Sequence, residues 1–289
     1  MFLDFFAKMS IISFRWARWA LPFLARKGRT AVEKKKAPWF YYVVRWLVWL
    51  FSPKFRIVGQ ENLPEGACVI VGNHCHAYGP IAAEIYTPGL HYTWCTGEMM
   101  ERGEVADYAF RDFWSMKPKW TLWFFRLLSH AIVPLSLLVF RNACTIPVYH
   151  DSRILTTFRQ TGQRLAEGAR ITIFPETYTP HNNIVYQFQD RFLDLARMYR
   201  KKAGRDLPFV PMYLAPKLKT VYYGKPIYFD PDAPLDAERQ RVCRALMDAV
   251  TDMALALPKH KVVPYPNVSA RHYRFNTPLE VYDHDQDTI

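Results

Sequence analysis

Acidic residues are scarce in this 289-residue chain: 26 Asp and Glu stand against 38 Lys and Arg, a formal net charge of +12. A cationic excess of that size selects partners of negative charge: nucleic acid, an anionic membrane surface or an anionic substrate. A nucleic-acid motif is missing, and the nine Trp and twenty Phe sit largely in apolar stretches rather than among the charges. Nucleic acid is therefore not an expected partner, and a membrane surface is. Cysteine is sparse, at positions 68, 75, 95, 144 and 243. The odd number and the lack of paired spacing exclude a disulfide scaffold and predict reduced, mostly buried thiols of a cytosol-facing protein. Cys75 reads as a small loop residue, since nothing local activates it. Internal repeats are absent. No signal peptide is evident, because Asp4, Lys8, Arg15 and Arg18 interrupt any apolar core.

The amino-terminal stretch is amphipathic. Phe2, Phe5, Met9, Ile12, Trp16, Trp19 and Phe23 recur at steps of three and four, with Lys8, Arg15, Arg18 and Arg26 alongside. Such a helix suits the plane of a membrane interface. A basic linker, 26 to 36, leads to Trp39–Phe51, thirteen residues that are nearly all apolar. That run is too short to span a bilayer alone, for which about twenty residues are needed. Residues 1–54 are thus expected to form a membrane-associated helical segment, peripheral or monotopic, on the cytoplasmic face.

The rest of the chain alternates strands and helices, which predicts an α/β domain over 55–257 with a mainly parallel central sheet flanked by helices. Strands are expected at 55–58, 68–71, 92–96, 145–149, 171–174, 209–215 and 220–229. Helices are expected at 81–86, 152–167, 188–202 and 236–257, the last capped by Asp236. Trp120 to Phe140 reads as helix, break, helix. Residues 258–289 read as a loosely structured tail.

The stretch Ala67 to Pro80, A-C-V-I-V-G-N-H-C-H-A-Y-G-P, is the most informative. A short apolar run ended by Gly72 suits a buried parallel strand. Gly79-Pro80 opens the following helix. Asn73, His74, Cys75 and His76 then occupy the loop at a strand's carboxyl end, where ligands bind in open α/β sheets. His74 is the candidate base. Glu176 follows the strand 171–174 and a proline, which places it on the same edge, within roughly 10 Å of His74. On local sequence it is equally a turn-capping carboxylate.

Four blocks in order carry a resemblance: V-G-Q-E-N-L-P-E-G (58–66) with C-V-I-V-G-N-H (68–74), T-I-P-V-Y-H (145–150), I-F-P-E-T-Y-T (173–179) and F-V-P-M-Y-L-A (209–215). C-T-G-E-M (95–99) joins them. In these the chain resembles the glycerolipid acyltransferases of the lysophosphatidate acyltransferase (PlsC-like) type. The resemblance implies transfer of an acyl group from acyl-CoA or acyl carrier protein to a lipid hydroxyl, with no bound cofactor and no metal. It implies His74 and Glu176 as catalytic. It implies Asn73, His76, Glu98, His150, Phe174, Pro175, Thr177 and Thr179 as substrate-binding. The chain departs from the family where that family has the aspartate of His-x4-Asp, here Gly79. Three family cations, understood to hold an acceptor phosphate, are replaced by Thr96, His150 and Thr179. Arg153, Arg170, His150 and His181 are the nearby cationic candidates to replace them, and Glu84, Glu98 or His76 to replace the acid.

Two other readings follow from the same residues. One is a membrane-surface relative of the family without catalysis, for which the four substitutions argue. The other is a metal-dependent hydrolase built on His74-x-His76 with His150 and His181. His91, His130, His260, His272 and His284 read as structural or surface.

Overall fold

The computed structural model describes residues 37–115 and 117–277. The amphipathic helix and basic linker expected before residue 37 lie outside the described residues. The chain divides into two units, 1–52 and 53–289. In the first, helix α1 (Trp39–Phe51) forms as its apolar run predicts. Trp39, Phe40, Tyr42 and Trp46 on it are exposed.

The second unit is built on a sheet of β1 (Arg56–Val58), β2 (Cys68–Gly72), β3 (His91–Thr96), β4 (Thr145–Val148) and β5 (Arg170–Ile173), joined by β8 (Pro208–Ala215), β9 (Thr220–Tyr223) and β10 (Ile227–Tyr228). A separate hairpin, β6 (Glu176–Pro180) with β7 (Tyr186–Phe188), follows β5. The sheet runs in the order β1-β9-β8-β2-β5-β3-β4, with β10 beside β8. Within this sheet, among the described residues, only β8 with β9 and β8 with β10 pair antiparallel. The fold is therefore α/β with a mainly parallel sheet.

Helices cover both faces. They are α2 (Tyr78–Tyr86), α3 (Val105–Ala109), α4 (Leu122–Ala131), α5 (Val133–Asn142), α6 (Ile154–Ala166), α7 (Leu195–Ala203) and α8 (Leu235–Leu255). Strand alternation divides the core. Val69, Val71, Ile171, Ile173 and Phe209 pack with Leu165 of α6, Leu195 of α7 and Leu246 of α8. Cys68, Ile70, Val210, Met212 and Leu214 pack on the other face with Ala82 of α2 and with Val263. No described helix is long and apolar enough to cross a membrane by itself; Lys119–Ala131 and Val133–Asn142 pass that test only as a pair, bent by 46°.

Several boundaries differ from the sequence expectation. Helix α2 starts at Tyr78, before Pro80, because a first-turn proline lacks only an N–H that would have no helical partner. The stretch 220–229 splits at Gly224-Lys225-Pro226 into β9 and β10. Helix α7 begins only at Leu195, since Tyr186–Phe188 is taken up by the hairpin. Asp236 does not cap α8; it lies in the first turn and pairs with Arg239 at 2.9 Å. The largest difference is the segment after 257. Residues 258–277 are bound to the body rather than loose. Val262 and Val263 are buried, Tyr213 bonds the His260 ring at 2.8 Å, and Asn276 Nδ2 donates to Ala254 O at 2.8 Å.

Candidate functional site

The loop after β2 is fixed by Asn73, whose amide donates to Leu214 O at 3.0 Å and accepts from Leu214 N at 2.8 Å. This clamp ties the loop to the neighbouring strand β8. Cys75 and His76 then take left-handed backbone angles, φ 49° and 54°. Such angles cost a non-glycine residue about 1–2 kcal/mol, so contacts must hold them. Asn73 Nδ2 donates to Cys75 Sγ at 2.9 Å, and the His76 ring meets Pro266 O at 2.9 Å. Burial pushes the Cys75 thiol well up, which leaves it no thiolate and no nucleophilic role.

His74 stands between Phe174 and Tyr265, ring centroids 5.3 and 5.7 Å away, both edge-on. Burial drives its imidazole down to about 4; the His76 charge adds to this and a hydrogen bond to the His76 backbone opposes it. The ring is thus neutral at pH 7. Among the described residues no carboxylate pairs with it. Glu176 lies directly beneath. Its Oε2 accepts the His74 backbone N–H at 2.6 Å and its Oε1 accepts Tyr186 N–H at 3.0 Å. Burial raises this carboxyl to about 7 against those two bonds. Both oxygens are thereby committed to backbone amides. The sequence expected the two residues on one edge, and the structure places them so. It gives Glu176 the contacts of a positioning group.

At Gly79 the structure explains a departure in the sequence. A Cβ there would lie 2.3 Å from His74 O and 3.0 Å from the Phe174 ring. The Gly79 N–H itself bonds His74 O at 3.1 Å. The turn is closed so tightly on His74 that no side chain fits. Of the proposed substitute acids, Glu84 receives Cys144 N–H at 3.3 Å, away from His74, and Glu98 receives the Thr96 hydroxyl at 2.5 Å. Burial alone would raise Glu98; Thr96, its own backbone, His150 and Arg111 outweigh it and hold it below the usual range.

Three of the four cationic candidates are engaged elsewhere, and the fourth, His150, is exposed. Arg153 Nη2 pairs with Asp151 at 2.8 Å and its Nη1 with Glu104 at 3.1 Å. His181 faces Asp248 at 3.8 Å. Arg170 is the first residue of β5, in register with Cys68 and His91 at the amino ends of their strands. It donates to Pro88 O at 2.6 Å and Pro64 O at 3.0 Å, a strand's length from His74. His150 and Thr179 are exposed, Thr177 is half-buried and accepts from Thr179 N–H at 3.3 Å, and Pro175 O accepts Gln189 N–H at 2.8 Å. Among the described residues His74 and His76 gather no set of metal ligands with His150 or His181.

Sequence reasoning missed the aromatic cover. Tyr265 stacks edge-on to Tyr178 at 5.1 Å and tilts against Tyr186 at 6.3 Å, so a late segment and the β6–β7 hairpin roof His74 together. Burial pushes the Tyr265 phenol up to about 12, with Tyr178, Asp112 and Glu176 adding to it. Asp112 and Arg111 were also missed; they sit on a π-helical turn, Phe110–Trp114, that follows α3. Burial raises Asp112 against the opposing pull of Arg111. Tyr265 stands as a lone aromatic between Pro264 and Pro266, a stretch with no period to read.

No family model matches the chain, and no curated protein matches it. Among solved structures the chain is similar to the 1-acyl-sn-glycerophosphate (LPA) acyltransferase PlsC from Thermotoga maritima, with 14% identity and a TM-score of 0.43 over 76% of this chain and 80% of that one.

Proposed function

We propose that this protein moves a fatty acyl group from acyl-CoA or acyl carrier protein to the hydroxyl of a lipid, with His74 as base. The observation that carries the reading is the neutral, half-buried imidazole of His74 at the carboxyl edge of the sheet, beside Phe174-Pro175-Glu176. The ordered sequence blocks support it. An alcohol far from its pKa needs its proton removed as it attacks. The acceptor oxygen would bond to the thioester carbon while His74 takes its proton; the C–S bond then breaks and the leaving thiolate recovers that proton. Glu176 positions the His74 backbone. Among the described residues no carboxylate is paired with the imidazole. Loss of an equivalent carboxylate costs a hydrolytic triad about 10⁴ in turnover, so slow transfer is expected.

The acceptor class follows from charge. Thr96 and Thr179 carry none, Glu98 adds a negative one, and Arg153 is engaged by Asp151 and Glu104. A phosphomonoester dianion entering there would lose hydration without gaining paired cations. A lyso-phospholipid with a shielded head group, or a neutral or amino-containing lipid alcohol, fits better. Work at a membrane surface on the cytoplasmic face fits the exposed Trp120, Trp123, Phe124 and Leu127. Sedimentation with anionic vesicles tests that, and full-length protein left in the supernatant would count against it.

Gly79 favours a second reading, a non-catalytic relative, because it leaves no room for an acid beside the histidine. Labelled acyl-CoA and acyl carrier protein, offered with a panel of acceptors, separate the two. Transfer abolished by His74→Ala supports catalysis. No transfer to any acceptor favours the non-catalytic relative, and efficient acylation of lysophosphatidate would overturn the acceptor class.

A further inference from the structure

At the opposite, amino end of the sheet three side chains meet that the sequence holds apart. Glu84 lies in the last turn of α2, His91 is the first residue of β3, and Cys144 directly precedes β4. Parallel pairing brings the last two together: Thr93 N–H donates to Cys144 O at 2.8 Å. Helix α2, returning from the His74 loop, delivers Glu84 beside them. One ligand atom from each residue lies within 4.8 Å of the other two. None of the five cysteines is joined in a disulfide.

The histidine is prepared for a metal. His91 Nδ1 meets Gly89 O at 3.0 Å. A carbonyl only accepts, so Nδ1 carries the proton and Nε2 presents its lone pair. That Nε2 is buried and has no hydrogen-bond partner. A backbone carbonyl behind the ring is the usual support of a metal-binding imidazole. Arg170, next to His91 across the sheet, is already held by Pro88 O and Pro64 O. Imidazole nitrogen, cysteine sulfur and carboxylate oxygen together suit zinc, and the sulfur disfavours magnesium or calcium.

We propose that Glu84, His91 and Cys144 bind one zinc ion, with water as the fourth ligand. On binding, the Cys144 thiol gives its proton to solvent and its sulfur bonds the metal. The ion pins the far end of α2 to the amino ends of β3 and β4. The proposal stands apart from the acyl-transfer reading, because none of the three residues belongs to the His74 site.

The test uses full-length protein stripped with chelator and titrated with zinc or cobalt chloride. Expected are one equivalent of bound metal by elemental analysis and, with cobalt, a sulfur-to-metal charge-transfer band. Cys144→Ser should abolish the band, and His91→Gln should weaken binding at least about tenfold. His74→Ala should bind as the parent does. Wild-type protein that takes up no stoichiometric metal, or cobalt bound without the sulfur band, would overturn the proposal whether or not the variants fold. Loss of metal in His74→Ala would overturn it too.

Discussion

The two ends of one sheet are put to opposite uses. At the amino end, Arg170 spends its guanidinium on two loop carbonyls, and a charge there acts as a staple. At the carboxyl end, charge is withheld. His74 is kept neutral with no carboxylate against its ring, and Glu176 is lifted toward 7 while serving two amides. The loop that carries His74 also holds two left-handed residues, Cys75 and His76. Groups that titrate far from their ordinary values concentrate where chemistry is asked of them; groups with satisfied bonds hold the scaffold. The contrast separates residues of the same chemical type by position alone.

Breaking the staple is expected to have the largest effect. Arg170→Met removes two charge-assisted bonds, each worth about 1.5–3 kcal/mol. Urea unfolding should show a loss of about 3–6 kcal/mol, while the His74 titration followed by NMR stays put. An unchanged midpoint would remove Arg170 from the scaffold.

The second expectation concerns pH. Glu176 is raised from 4.5 to about 7, so its contribution to stability is present below 4.5 and lost as pH rises through 7. His74 is lowered from 6.5 to about 4, so its contribution is present above 6.5 and lost as pH falls through 4. In the parent protein the two slopes oppose each other over nearly the same window. His74→Phe should leave only the Glu176 slope, with stability falling by up to about 3 kcal/mol between pH 4.5 and 7. Glu176→Gln should show the reverse trend, rising from pH 4 to 6.5. Parallel pH profiles in both variants would mean the two groups are not buried as described.

Third, restoring the acid should not restore the site. Gly79→Asp forces a Cβ into His74 O and is expected to cost about 1–3 kcal/mol by overpacking, with no gain in acyl transfer. A variant both as stable and faster would show that the turn has room. The smallest effect belongs to the roof. Tyr265→Ala should let water in and raise the His74 pKa toward 6.5, whereas Tyr265→Phe should leave it in place, since the ring and not the hydroxyl makes the contact. An equal shift in both would implicate the hydroxyl.

Much of the scaffold was legible because apolar runs and helical periods state it. Cys68–Val71 reads as a buried strand and is one; the strands read at 171–174 and 209–215 also form, the first ending at Ile173. The edge shared by His74 and Glu176 was legible too, since strand ends fix it. Arg170 shows a signal present but unread: a residue that opens a parallel strand lies at the edge away from ligands. The β6–β7 hairpin was hidden because β6 is polar and mostly exposed and β7 is only three residues long. Tyr265 was hidden because a proline-punctuated segment has no period, and its position depends on contacts made far along the chain. The same holds for Glu84, His91 and Cys144, which strand register and the return of helix α2 bring together.

The roof over His74 also sets an order of manufacture. The bond between the His76 ring and Pro266 spans 190 positions. A ribosome releases β2 and its loop long before the segment that covers them. Until that segment emerges, the nascent chain lacks the Tyr265 ring that stands against His74. The shielded, neutral histidine is thus a property acquired late in synthesis, and a chain arrested before residue 258 would carry the residue without the environment that gives it its chemistry.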